Sequence, residues 1–421
     1  MPNTWLSSSL WPAIRIKYIC SECFSGGTPD TTNSSYWNNG TIPWIASGEL
    51  QNCDVNNATN YITIKGLSNS SARIIRKNSV AVAMTGATCA NVGYINFETS
   101  ANQSVYAYVM KSNQNARFAY YSLIAMRDEI LSKQNGGAQA GINGAVCKNL
   151  YIPKLDLQKQ EQVVNYLDKK VGIIDKLIAN INQQIEDLKQ CKMSLITETV
   201  TKGLNKNVFM KESGVEMIGK IPIHWEVNKI KYISRCDRQL LPENTRPNTQ
   251  IHYIDIGSVT GEQGITHVQD LLFADSPSRA RKIVTEGDTI ISTVRTYLRA
   301  ITYISKIYDK YICSTGFAVI TPNKTLCKKF VYYFCQSEPF VSTMDSISKG
   351  VSYPAVTSQE LIKTYICIPP VSEQITIVDY LDKKCKKIDK LLQIKRQKIE
   401  ELTKYKKSLI YECVTGKKEV L

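Results

Sequence analysis

The chain is written twice. Tyr166-Leu167-Asp168-Lys169-Lys170 returns 214 residues later as Tyr380-Leu381-Asp382-Lys383-Lys384. At the same offset, Ile174 to Leu177 falls on Ile388 to Leu391, and Ser194-Leu195-Ile196 falls on Ser408-Leu409-Ile410. From Gln160 to Thr201, 22 of 42 positions are identical to their partners, which marks a duplicated unit. Near the start of each copy, Trp11, Ile16, Lys17, Tyr18 and Ile19 fall on Trp225, Ile230, Lys231, Tyr232 and Ile233. Between these ends, Cys20 to Asn149 and Ser234 to Thr364 share almost no identity. Each copy is therefore a constant part joined to a divergent part.

The constant part carries a helical seam. Val164, Leu167, Val171, Ile174, Ile178, Ile181, Ile185 and Leu188 step alternately by three and four, a heptad stripe of about four heptads. The second copy supplies Val378, Leu381, Cys385, Ile388 and Leu392, is interrupted by Lys395, and resumes at Ile399, Leu402 and Leu409. A helix from about Gln158 to Val200 would run roughly 60 Å at about 1.5 Å per residue. Neither stripe can be buried alone, and two equivalent units joined head to tail place both helices in one seam through an internal pseudo-two-fold axis, which makes the pair antiparallel. Lys192 and Lys406 occupy the same seam position, where a buried ammonium is costly, so they are expected to snorkel or to mark where the helices diverge.

The divergent parts read as short β-branched or aromatic runs punctuated by Gly, Asn, Ser and Pro. Ser79 to Ala83, Val105 to Val109, Thr289 to Ser292 and Phe317 to Ile320 are strand signals; Asn115 to Leu131 and Cys327 to Met344 look helical. The expected fold class is α+β. Two pseudo-two-fold-related domains of mainly antiparallel sheet with flanking helices are separated by two long helices forming an antiparallel coiled coil. The boundaries fall at 1–155 and 206–370 for the globular domains, and at 156–205 and 371–421 for the helices.

A formal net charge of +15 fits a protein that meets a polyanion. Arg73, Arg76 and Lys77 precede a strand in the first copy, and Arg279, Arg281 and Lys282 hold the matching place in the second. Arg295, Tyr297 and Arg299 follow the strand ending at Ser292. Arginine suits phosphate forks and guanine edges, and tyrosine offers stacking or a hydroxyl. Lys65, Thr85, Gly86, Lys349 and Tyr353 complete the set of candidate DNA contacts.

Membrane and secreted classes fit poorly. No run approaches the roughly 18 to 20 apolar residues of a membrane span, and the 13 cysteines are an odd, scattered set, expected to be reduced in the cytoplasm. Cys20-Ser21-Glu22-Cys23 has metal-ligand spacing but no second pair, so no metal site is expected. There is no Asp/Asn-Pro-Pro-aromatic segment, no glycine-rich cofactor loop and no phosphate-binding loop, so no catalytic residue is assigned.

The chain resembles the specificity subunits of type I restriction-modification systems. The first copy shows this in Ser25-Gly26-Gly27-Thr28-Pro29, Ile42-Pro43-Trp44-Ile45, Ser71 to Ile74, Gly86-Ala87-Thr88, Asn102-Gln103 and Gly136 to Ile142. The second shows it in Ser213 to Glu216, Ile221 to Val227, Glu286-Gly287-Asp288, Ser314 to Phe317 and Ile368 to Gln374. Two departures stand out: Cys89-Ala90-Asn91 replaces the usual isoleucine-glycine-lysine, and Lys159 stands where the second copy has Glu373.

The resemblance implies a non-catalytic subunit whose two target-recognition domains each read one half of a bipartite, asymmetric duplex site. The helices set the spacer and dock two modification (methyltransferase) subunits, usually acting on adenine N6; restriction (translocase/endonuclease) subunits bind further out. It implies no cofactor on this chain, with S-adenosylmethionine and ATP/Mg held by partner subunits, and no membrane. A fragment of a fused restriction-methylation enzyme and a protein-binding coiled-coil scaffold are the competing readings.

Overall fold

The computed structural model describes residues 4–7, 9–136, 140–324, 326–350 and 353–420. Gly137, Ala138 and Gln139 of the Gly136 to Ile142 motif lie outside the described residues. The chain divides into two units, Met1–Ile181 with Arg396–Leu421, and Asn182–Lys395. Both long helices cross that division, so each unit holds one globular domain and one stretch of each helix.

In the first unit a five-stranded sheet runs in the order Cys20–Ser25, Val105–Met110, Ser79–Ala83, Val92–Ile95, Cys53–Val55. Its pairings are antiparallel except the last, which is parallel. Strand Ser79–Ala83 reads as a continuous small or apolar run because both its faces are covered. Val80 and Val82 enter one core with Tyr106, Tyr108 and Phe118; Ala81 and Ala83 enter another with Ile45 and Ile75. A three-stranded sheet, Asn60–Ile62, Ile42–Ile45, Ser100–Ala101, lies in the same unit. The helix expected over Asn115 to Leu131 is two helices, Ala116–Ala125 and Arg127–Leu131, separated at Met126. Asn115 caps the first, its Oδ1 accepting from the amides of Arg117 at 2.9 Å and Phe118 at 3.2 Å.

The second unit repeats the plan with different residues. A four-stranded antiparallel sheet runs Ser234–Cys236, Phe317–Pro322, Thr289–Ser292, Ile301–Tyr303, and a second sheet runs Gln269–Leu272, Gln250–Ile254, Ile312–Ser314, Ala280–Ile283. The parallel pair Tyr253/Ile312 matches the parallel pair Trp44/Ser100 of the first unit. The helix expected over Cys327 to Met344 is also split, into Lys328–Cys335 and Glu338–Ile347.

The long helices span Leu157–Lys202 and Val371–Val414. Their seam residues are buried (Val164, Leu167, Val171, Ile174, Ile185, Val378, Leu381, Cys385, Leu392) or half-buried (Ile178, Ile181, Leu188, Ile388, Ile399, Leu402). Within the second unit the helices run antiparallel, with Lys192 Nζ 2.6 Å from Asp389 and Lys395 reaching back to Gln184. Within the first, Lys406 Nζ lies 2.6 Å from Asp175, and the Lys418 ammonium faces the Tyr166 ring. Lys192 and Lys406 therefore mark no divergence of the helices; their ammoniums reach the edge of the seam, where the facing aspartates are about half exposed. Each ends on an aspartate of the facing helix.

The duplication also preserves the joint between globule and helix. Gln160 Oε1 accepts from the Asn115 amide at 2.8 Å while its Nε2 donates to the Leu155 carbonyl at 2.9 Å. Gln374 does the same with the Cys327 amide and the Pro369 carbonyl, both at 2.8 Å. About two helical turns further on, Asp168 accepts from the Tyr121 hydroxyl at 2.5 Å and Arg117 Nε at 3.0 Å. Asp382 accepts from the Tyr333 hydroxyl and Lys329 Nζ, both at 2.6 Å. Burial and the neighbouring carboxylate push both tyrosine hydroxyls well above their ordinary range.

Candidate nucleic-acid interface

Some of the residues singled out in the sequence, Thr85 and Gly86 in one globule and Arg295, Arg299, Lys349 and Tyr353 in the other, lie on one recurring device: a left-handed residue just beyond a strand, laced to a second loop. In the second globule the strand Thr289–Ser292 leads to Arg295, which has φ +53° and donates its amide to the Pro354 carbonyl at 2.7 Å. Val356 donates to the Thr293 carbonyl at 2.9 Å, and Lys349 and Ala355 exchange backbone hydrogen bonds. In the first globule the strand Ser79–Ala83 leads to Gly86, with φ +66°, whose amide meets the Ala140 carbonyl at 3.3 Å. There Asn135 and Gly141 stand 214 residues before Lys349 and Ala355 and exchange the same pair of bonds.

Gly86 and Arg295 are thus equivalent positions. A Cβ at Gly86 would meet nothing within 4 Å, so only the left-handed backbone resists a side chain there. At the equivalent point the second globule carries an arginine despite that conformation. Arg299, four residues on, is also left-handed at φ +53°. Two non-glycine residues held in this region around one short turn, Thr296–Leu298, are strain of the kind that collects at functional sites.

The strained turn presents Arg295 to a cleft of about 1050 Å³ within the second unit. The guanidinium carbon sits 4.4 Å from the Tyr353 ring centroid, and Nε is buried without a hydrogen-bond partner among the described residues. Arg279 and Arg299 line the same cleft, as does Lys189, which is paired to Glu262 at 2.7 Å. Arg295, Tyr353 and Arg279 are therefore brought together. Tyr297 is exposed beside them.

Other expected contacts are held by acidic neighbours. Arg299 meets Glu338 at 2.5 Å. Lys349 lies 3.2 Å from Glu360, and Glu360 also caps the short helix Ser358–Leu361. The Thr357 amide, then its hydroxyl, then Lys349 hold the Glu360 carboxyl down to about 2. In the first globule Arg73 bonds Glu22 at 2.7 Å and covers the Phe24 ring, and Arg76 approaches the same carboxylate at 3.5 Å. Lys65 and Lys77 are exposed, and Thr85 is half-buried next to Gly86.

Lys282 requires a correction. It is only 8% exposed, its ammonium bonding Asp237 at 2.6 Å and the Phe317 carbonyl at 2.5 Å, so it is a core cation and not a ligand contact. It lies within the strand Ala280–Ile283, so side chains alternate inward and outward there. Arg281 is half-buried over the Phe273 ring and donates to its neighbour's carbonyl. The match to Arg73 to Lys77 lies in the pairing, since Ile75 bridges Thr99 as Lys282 pairs with Cys313.

Sequence reasoning missed Asp345, which accepts from the Thr296 hydroxyl and supports the strained turn. Nothing in the sequence marks it. The 214-residue offset of the Asn135/Gly141 and Lys349/Ala355 pairs was the signal that could have matched the two loops.

A family model described as the type I restriction modification DNA specificity domain matches residues 9–187 and 222–404. The chain is 25% identical over 313 residues to the type I restriction enzyme MjaVIII specificity subunit of Methanocaldococcus jannaschii, covering 72% of this chain and 70% of that protein. It is 26% identical over 168 residues to the EcoR124I/EcoR124II specificity subunit of Escherichia coli, which spans 39% of this chain and 42% of that one. A chain solved in work on complex assembly and conformational transition of the type I R-M system has the same fold, with a TM-score of 0.69 at 14% identity over 96% of this chain and 97% of that one. Among the described residues no helix is long and apolar enough to cross a membrane. The family match falls on both copies and takes in most of the sequence, so the chain belongs to the type I restriction-modification DNA specificity family.

Proposed function

We propose that this chain is the DNA-reading, non-catalytic subunit of a type I restriction-modification complex, each globule reading one half of a bipartite, asymmetric duplex site. The observation that carries this reading is the contrast between constant and divergent parts. The joints at Gln160/Gln374 and Asp168/Asp382 are the same in both copies, whereas the equivalent loop positions hold Gly86 in one and Arg295 in the other. A frame kept constant under two different readers suits two unlike half-sites.

The helices act as the ruler for the unread spacer and as the dock for two modification subunits, which bind S-adenosylmethionine and methylate adenine; restriction subunits bind ATP and Mg. A 46-residue helix runs about 69 Å at ~1.5 Å per residue, ample to hold half-sites a turn of duplex apart, about 34 Å. Arg279, Arg295, Tyr297 and Tyr353 contact DNA in the second half-site, and Lys65, Arg73, Arg76, Lys77, Thr85 and Gly86 in the first. Mapping methylated bases genome-wide in a host with and without this gene tests the reading. A split, asymmetric motif is expected to vanish with the gene; an unchanged methylome sinks it.

A further inference from the structure

The residues repeated near the start of each copy fall into two groups. Ile16 and Ile19, like Ile230 and Ile233, are buried and hold the globule to its helix. Lys17 and Tyr18, like Lys231 and Tyr232, are repeated too, yet the tyrosines are 57% and 63% exposed. No packing role accounts for an exposed aromatic retained twice in globules that otherwise share almost nothing.

The two sets are similarly built, except that Lys17 Nζ also donates to Asn149 Oδ1 at 2.9 Å. Lys17 Nζ lies 5.2 Å from the Tyr18 ring centroid, and Lys231 Nζ lies 4.5 Å from that of Tyr232. A second basic-aromatic pair adjoins each on a two-stranded sheet. Arg15 Nε donates to the Tyr151 hydroxyl at 2.9 Å, and Lys229 Nζ lies 5.2 Å from the Tyr365 ring centroid. Even the backbone support recurs, with Lys111 Nζ donating to the Tyr18 carbonyl at 2.8 Å and Asn323 Nδ2 to that of Tyr232 at 3.4 Å. Among the described residues no carboxylate pairs with Arg15, Lys17, Lys229 or Lys231.

We infer that these two patches grip the phosphodiester backbone of duplex DNA, one beside each half-site and independently of base sequence; the inference rests on the DNA-reading function proposed above. A ligand met twice by unlike readers cannot be a base pattern. It must be anionic, because each patch presents two cations without counter-charge. Lysine is depleted from the cores of protein–protein contacts, whereas lysine, arginine and the tyrosine hydroxyl are common phosphate donors. The repeated sets therefore supply grip, and the divergent loops supply the sequence.

The test uses the full chain and a random-sequence duplex over a series of salt concentrations. Lys17→Gln with Lys231→Gln should lower affinity about ten-fold and reduce the slope of log K against log salt by about two, near 0.9 for each phosphate no longer neutralised. Lys17→Arg with Lys231→Arg should keep both, and circular dichroism should show all variants folded. Wild-type affinity and slope in the glutamine variant overturn the inference and leave the DNA-reading function standing. A glutamine variant that binds duplex normally but no longer captures the modification subunit overturns it in favour of a protein dock. Wild-type chain without affinity for duplex overturns both readings.

Discussion

Lys406 Nζ stands 2.6 Å from Asp175 of the facing helix, and Lys192 Nζ stands 2.6 Å from Asp389, so the duplicated lysines and the duplicated aspartates pair crosswise. These contacts fix which turn of one helix faces which turn of the other, something an apolar stripe with a heptad period leaves open to slippage. The aspartates are about half exposed, so each pair contributes little to stability, about 0.5 kcal/mol after solvent screening. Lys406→Glu should lower the urea midpoint, and adding Asp175→Lys should restore it. A double-mutant cycle with no coupling between the two sites would show that the pair sets no register.

The neck of the first globule lacks an acceptor that the second has. Trp225 Nε1 donates to Glu373 at 3.0 Å, whereas Trp11 Nε1 is buried without a partner among the described residues and Lys159 stands 5.3 Å from its ring. Lys159→Glu should supply the acceptor and place an acidic group in the first turn of its helix. The expected gain is about 1 to 2 kcal/mol. A melting temperature unchanged or lowered in that variant contradicts the assignment.

Acid should loosen the loop that carries Tyr353. Glu360 is held below its ordinary value, down to about 2, so its contribution is fully present above the unfolded value near 4.5 and is lost as pH falls from there toward 2. Glu360→Gln should therefore differ from wild type in thermal melts at pH 6 and converge with it near pH 2. A gap that persists at the acid end would show that another group carries the effect.

Two basic residues of the second globule should separate recognition from folding. Arg295→Ala is expected to weaken one half-site by about 1 to 3 kcal/mol and leave subunit assembly intact. Lys282→Met should spare recognition of a folded protein but lower its stability, since the half-buried Asp237 would lose its ion pair and keep only the Val319 amide on its other oxygen. Footprinting each half-site beside a denaturant melt tells these apart; lost assembly in the arginine variant would make that residue structural.

The long helices were legible in the sequence because the seam and its repeat act locally and extend over many turns. Strands Ser79–Ala83 and Thr289–Ser292 were legible for the same reason, as uninterrupted runs buried on both faces. The pairing of Lys282 was not, because its partner lies 45 residues upstream and strand alternation alone does not say which face is inward. The equivalence of Gly86 and Arg295 was hidden as well: it resides in backbone angle and in bonds to a distant loop, and the two residues share no side-chain chemistry.

The clip made by Gln160 and Gln374 is a neutral amide that donates and accepts at once. The clip itself has no charge for electrolyte to screen and no proton to lose near neutrality, unlike the Arg117–Asp168 and Lys329–Asp382 pairs two turns further on. Strong salt should therefore weaken those ion pairs and any bound polyanion together, while the amide clips, indifferent to it, still tie each globule to its own helix.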